Sequence, residues 1–151
     1  RGISGDISFG VYARLDEILR HKPKKIFLMI GVNDLKRNIP TEYIIRNYER
    51  IISKIKKESP STEIYLNSIL PVNNTKLIDA FKAVHNEDIN SLNKALVTLS
   101  TNDKNVHFVN LHDVLADDKG ELRAEITPDG IHLEVNAYVE LINYLKKIKA
   151  L

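Results

Sequence analysis

Lys25-Ile26-Phe27-Leu28-Met29-Ile30-Gly31-Val32-Asn33-Asp34 is the stretch on which the fold turns. Ile26 to Ile30 is an unbroken apolar run between Lys25 and Gly31. A run that short, with β-branched residues at its ends, is expected as a strand buried on both faces, because a half-exposed strand would alternate polar and apolar residues. Asn33 and Asp34 then follow directly at its carboxyl end.

Working outward, the pattern predicts helix and strand in alternation. Val11, Leu15, Ile18 and Leu19 give a helix over 8–22 that Pro23 stops. Ile44, Ile45, Tyr48, Ile51, Ile52 and Ile55 form one stripe of a helix over 41–58, broken by Ser59-Pro60-Ser61. Ile64 to Leu70 reads as a second strand ended by Pro71, and Val106 to Leu111 as a third. Between them, 71–86 is a long loop with a helical turn around Leu77 to Phe81, and Ile89, Leu92, Leu96 and Leu99 mark a helix. A loop over 117–121 precedes the last helix, from about Glu134 to Lys149, with Tyr138, Leu141, Leu145 and Ile148 facing inward. Such alternation is the signature of right-handed βαβ crossovers and a parallel sheet covered on both faces. In such sheets chemistry sits beyond the carboxyl ends of the strands.

Composition narrows the function. The 151 residues fit one domain, 1–151, with an ordinary 43% apolar fraction. The formal charge is +2, with 22 basic and 20 acidic residues spread along the chain, which argues against a nucleic-acid footprint. Lys54-Ile55-Lys56-Lys57 and Lys146-Lys147-Ile148-Lys149 read as solvated helix faces. With no cysteine, disulfides and thiolate zinc sites are excluded. No apolar run reaches the ~20 residues of a membrane span.

Three segments carry candidate chemistry. In Thr127-Pro128-Asp129-Gly130-Ile131-His132-Leu133 a carboxylate stands three residues before a histidine. A general-base histidine needs an acceptor on one ring nitrogen while the other faces the nucleophile, and Asp129 can reach back to His132 for that purpose. Taken alone, the segment also reads as a plain turn with His132 at a helix start. Asn33 after the first strand is suited to donate to a developing oxyanion, and Asp34 to brace the turn through backbone amides, or the pair is an Asx turn. Arg1-Gly2-Ile3-Ser4-Gly5-Asp6 permits a tight backbone in which Gly5 offers its amide to the same oxyanion. Its alternatives are a capping turn using Asp6 or Ser8, and a phosphate site. His112 with Asp113 is a conceivable metal pair, and His21, His85 and His107 are weaker candidates. No metal and no cofactor is assigned.

The order of these segments resembles the SGNH (GDSL-like) esterases and acylhydrolases. Ile3-Ser4-Gly5-Asp6, Gly31-Val32-Asn33-Asp34 and Asp129-Gly130-Ile131-His132 are similar to blocks II, III and V of that family. Ser68-Ile69-Leu70-Pro71-Val72-Asn73 resembles the segment after the next strand in many bacterial members. The resemblance implies a flavodoxin-like three-layer α/β/α sandwich and hydrolysis of acyl esters without a metal. It makes His132 the general base, Asp129 its orienting carboxylate, and Gly5 and Asn33 oxyanion-hole donors. It also places a nucleophilic serine upstream, in a Gly-Asp-Ser block ending an internal first strand, and this chain has no such block. Ser4, Ser8, Ser68, Ser91 and Ser100 do not sit in the strand-to-helix elbow such a nucleophile needs.

The expectation is therefore an esterase domain lacking its first strand or strands. Its substrate is a small acyl ester, acetylated carbohydrate first, lysophospholipid or thioester second, with a non-catalytic binding module as the alternative. The loops at 71–86 and 113–128 are expected to shape the pocket. The 151 residues by themselves are expected to expose an unpaired strand edge, to self-associate and to show no turnover.

Overall fold

Lys25–Leu28 (β1), Glu63–Asn67 (β2) and Val106–Val109 (β3) form a parallel sheet in the order β1-β2-β3. The computed structural model describes residues 2–101 and 103–151, so Arg1 of the first motif lies outside the described residues. Register runs from Lys25↔Glu63 to Leu28↔Leu66, and from Ile64↔Val106 to Asn67↔Val109. The helices are Ser8–Ala13 (α1), Leu15–Leu19 (α2), Val32–Lys36 (α3), Thr41–Glu58 (α4), Asn86–Ser100 (α5), His112–Leu115 (α6) and Val135–Lys147 (α7).

The two-residue period of the strands divides the core. Ile64 and Leu66 join Leu28 and Val106 in one cluster with Leu15, Ile44, Tyr48, Ile51, Leu92 and Leu96, under α1, α2, α4 and α5. Tyr65 points the other way, with Val109, Leu115, Ala137 and Leu141, toward α6 and α7. Phe27, Tyr65 and His107 stack across the sheet on that face, with ring centroids 4.7 and 4.8 Å apart. The result is the expected α/β/α sandwich with a parallel sheet.

Several boundaries differ from the sequence expectation. The helix over 8–22 splits at Arg14, which leaves helical geometry (φ −105°, ψ 10°) and sends its guanidinium back to Asp6. The first and third strands end two residues early, and the second ends at Asn67, three residues short of Leu70. Beyond those ends side chains take over the backbone pairing. Tyr48 Oη donates to Ile30 O (2.7 Å) and accepts from Ile30 N (3.2 Å). Asn93 brackets both backbone groups of Ile69 (2.7 and 2.9 Å), and Asn86 those of Val72 (2.8 and 3.0 Å). Tyr138 and Ile148 are exposed rather than inward-facing.

Among the described residues no strand pairs with the outer edge of β1. A cleft of about 440 Å³ runs along that edge, walled by Val11, Leu15, Ile18, Leu28, Ile30 and Tyr138. Its upper end lies at the carboxyl end of the sheet, where Asn33 and His132 border it.

Candidate active site

The turn over 127–132 is built by its glycine. Gly130 has φ +85°, and a Cβ there would meet Leu77 N at 2.6 Å, Leu77 Cα at 2.7 Å and Asn73 O at 2.8 Å. That close approach lets the 73–78 segment zip onto the turn. Asn73 N donates to Gly130 O (2.9 Å) and Ile78 N to Asp129 O (3.2 Å). Gly130 N donates to the buried Thr127 Oγ1 (2.9 Å), closing the turn from inside.

The turn aims Asp129 at His132. Asp129 Oδ1 accepts from Ile131 N (3.1 Å) and His132 N (2.8 Å), and Oδ2 lies 2.6 Å from His132 Nδ1. Partial burial works against ionisation of Asp129, yet the bonds from the His132 ring and the two backbone amides outweigh it and hold the carboxyl below its usual range. With Nδ1 engaged, Nε2 is the nitrogen left to exchange a proton. The ring is largely exposed and packs edge-on against Phe81, at 6.0 Å between centroids and 89° between planes. Lys36 Nζ sits 4.1 Å from the centre of the same Phe81 ring.

Gly31, with φ +135°, ends the first strand segment and starts α3. Any side chain on it would run into Ile69 Cδ1, 2.7 Å from the Cβ position. Asn33 and Asp34 therefore sit in the first turn of α3 and diverge. Asn33 borders the cleft and donates through Nδ2 to Asp6 O (3.0 Å). Asp34, only 1% exposed, turns inward and accepts from Ser8 N at 3.1 and 3.0 Å and from Ser8 Oγ at 2.5 Å. Burial pushes the Asp34 carboxyl up, with the Ser8 bonds pulling the other way. The expected bracing by Asp34 thus reaches across 26 residues to α1, where it does the capping proposed for Asp6 or Ser8.

Gly5 lies in the 3–6 turn with φ +71°, and among the described residues its N–H meets no acceptor. Gly2, Ile3 and Asp6 border the cleft together with Asn33, Ile131 and His132. Asp129 stands behind His132, and Gly5 sits in the loop between Ile3 and Asp6. Three segments far apart in sequence thus meet at one rim.

No serine in the described residues hydrogen-bonds to His132. Ser8 and Ser68 are fully buried, and Ser68 Oγ accepts from Leu111 N (2.9 Å) and His112 N (2.7 Å). Ser91 and Ser100 bond back to their own helix. His112 Nδ1 lies 3.1 Å from Asp113 Oδ1, and among the described residues no third ligand joins them. Sequence reasoning missed Asn47, which donates to Ser8 Oγ at 2.9 Å, and Asn86 and Asn93. Two asparagines seven apart on an otherwise amphipathic helix were the available signal for the latter pair.

Residues 1–139 match the model of the GDSL-like Lipase/Acylhydrolase family. The chain belongs to that family. A structure described as a platelet activating factor protein from Streptococcus pneumonia is 37% identical, with a TM-score of 0.89 over 98% of this chain and 70% of that one. An acetylxylan esterase from Geobacillus stearothermophilus, seen as a catalytic mutant, is 18% identical with a TM-score of 0.77, over 98% of this chain and 70% of that one, which marks a shared fold. An N-acylneuraminate cytidylyltransferase of Escherichia coli O18:K1:H7 is 30% identical over 97% of this chain. The GDSL-like chain spans 34% of the length of that relative. Among the described residues no helix is long and apolar enough to cross a membrane.

Proposed function

We propose that this GDSL-like chain contributes the general base, its orienting carboxylate and part of the oxyanion hole to a serine esterase that acts on small acyl esters. The observation that carries this reading is the convergence at one cleft rim of His132, backed by Asp129 at 2.6 Å, with Asn33 and the Gly5 loop. The serine comes from a segment upstream of Gly2, on a strand that pairs with the open edge of β1 and fills the apolar cleft beside it.

In this reading the serine oxygen attacks the ester carbonyl carbon while His132 Nε2 takes its proton. Asp129 holds the ring and stabilises the imidazolium. The carbonyl oxygen becomes an oxyanion, held by the Gly5 N–H, the Asn33 carboxamide and the serine's own amide. Each such donor is worth roughly 2.7–4 kcal/mol in the transition state. Collapse breaks the ester C–O bond, and His132 returns the proton to the leaving alcohol. Water, deprotonated by His132, attacks the acyl carbon, and the C–O bond to serine breaks as His132 returns that proton to the serine oxygen, releasing the acid.

Acetyl esters of carbohydrate are the substrates favoured. One structural relative is named an acetylxylan esterase. The test is turnover of p-nitrophenyl acetate by the intact native polypeptide. His132→Ala should lower it by about 10³-fold or more. Equal rates would remove His132 from the mechanism. An intact polypeptide with no Gly-Asp-Ser block and no turnover would favour a non-catalytic binding module.

A further inference from the structure

The loop that carries Gly5 has little packing to hold it. Gly2, Ile3, Ser4 and Gly5 are all exposed. What fixes the loop is polar, and most of it comes from α3 and from Arg37, which caps its end. Asn33 Nδ2 holds Asp6 O (3.0 Å), Arg37 Nη2 holds Gly5 O (3.0 Å), and Asp34 holds Ser8 through both its N–H and its hydroxyl. From the other side Asp6 folds back over α1. Its carboxylate accepts from Ile7 N (3.0 Å) and from Arg14 (2.6 and 3.1 Å), over a Gly10 whose missing Cβ would lie 2.0 Å from Asp6 Oδ1.

Among these ties Asp34 is the one that is buried. Arg37 works at the surface and Asn33 at the cleft. A buried carboxylate is costly unless its bonds are made, so two donors from one serine, its N–H shared between both Asp34 oxygens and its hydroxyl, define a stiff position rather than a loose contact. Asn47 Nδ2 completes the set by donating to Ser8 Oγ (2.9 Å), which ties the same point to α4.

We propose that Asp34 is the positioning residue of the oxyanion hole: by fixing Ser8 at the start of α1, it sets the placement of the Gly5 N–H relative to the neighbouring Asn33 carboxamide, so that both donors aim at one oxygen. This rests on the esterase reading above for its catalytic meaning. The placement of the two donors does not rest on that reading and is measured separately. Asp34 touches no substrate. It acts through Ser8 on the loop, and through the backbone of α3 on Asn33.

The test has two arms. In the intact native polypeptide, ¹⁵N–¹H spectra follow the Gly5 amide, the Ser8 amide and the Asn33 side-chain pair in wild type, Asp34→Asn and Ser8→Ala, with Ser91→Ala, on the exposed face of α5, as a control away from the loop. Asp34→Asn should move and broaden all three sets while amides of β2 stay in place. Ser8→Ala keeps the backbone bond to Asp34 and should move them less. In the intact native polypeptide, Asp34→Asn should lower kcat for p-nitrophenyl acetate by about 10²-fold, as expected for a donor misplaced by about 1 Å. KM should stay within about twofold, because the loss falls on the transition state. If Asp34→Asn does not fold, Asn47→Ala takes its place, with a smaller shift expected at the same signals. A folded Asp34→Asn whose Gly5 and Asn33 signals stay where wild type has them overturns the proposal. So does an unchanged kcat in a protein that His132→Ala inactivates. Full turnover in His132→Ala defeats the esterase reading instead, and the spectra then decide Asp34 alone.

Discussion

His132 Nδ1 and Asp129 Oδ2 stand 2.6 Å apart across one glycine-dependent turn, and the same carboxylate accepts the backbone amide of His132 through its other oxygen at 2.8 Å. Asp129 therefore fixes the ring and its backbone together. Removing the charge but keeping the shape separates the two duties. Asp129→Asn should keep the fold and lower kcat in the intact polypeptide by about 10⁴-fold, through the wrong imidazole tautomer. A loss confined to KM would argue that Asp129 serves binding rather than the base.

Gly130 and Gly120 make a matched pair. Both have positive φ, +85° and +77°, but a Cβ on Gly120 meets open space while one on Gly130 meets backbone on two sides. Gly120→Ala should cost about 1 kcal/mol, the left-handed penalty alone. Gly130→Ala should cost about 3 kcal/mol or more and lower Tm by roughly 6–12 °C for a domain of this size. Thermal unfolding of both variants checks the difference, and equal shifts would contradict the close approach of the 73–78 segment.

The two carboxylates of the site pull stability in opposite directions with pH. Asp129 has a depressed folded-state pKa, so its contribution is present above its unfolded value and is lost as pH falls through the folded value. Asp34 has a raised one, so the contribution of its protonated form is full below the ordinary carboxylate range and is lost as pH rises through the folded value. Urea unfolding from about pH 7 down to about pH 3, across the usual Asp range, reads both signs. Relative to wild type, Asp129→Asn should lose less stability on acidification and Asp34→Asn more. The same slope change in both variants would contradict the assignment.

Asn93 stands in for a strand partner at Ile69. Asn93→Ala leaves a buried N–H and C=O without partners and should cost roughly 2–4 kcal/mol by denaturant unfolding. Asn105→Ala, which loses one long, exposed bond at 3.4 Å, should cost less than about 0.5 kcal/mol.

How much of this was legible depended on the range of the interaction. The 41–58 helix was readable to the residue, because one apolar stripe over five turns leaves no second period. The turn at Pro128-Asp129-Gly130 and its histidine were readable because turn chemistry and the reach from Asp129 to His132 are local. α3 and α6, of five and four residues, are too short for any periodicity to register. Strand ends were overestimated because apolar residues continue past the last ladder bond, where Tyr48, Asn86 and Asn93 replace the neighbouring strand. The partner of Asp34 was invisible for a plainer reason. Nothing in the spacing of Asp34 and Ser8, 26 residues apart, marks them as neighbours until α1 and α3 are folded against the same sheet end. Tyr138 was misjudged for a related cause: its helical spacing is that of a core residue, yet the surface it faces is the open edge of β1.

In the proposed mechanism His132 and Asp129 serve a serine outside the 151 residues. Fluorophosphonate labelling of the intact native polypeptide, followed by peptide mapping, locates that serine. One labelled serine is expected upstream of Gly2, with labelling slowed by about 10³-fold or more in His132→Ala. A label on Ser4, Ser8, Ser68 or any other serine of this chain, or labelling at wild-type speed without His132, would contradict that mechanism.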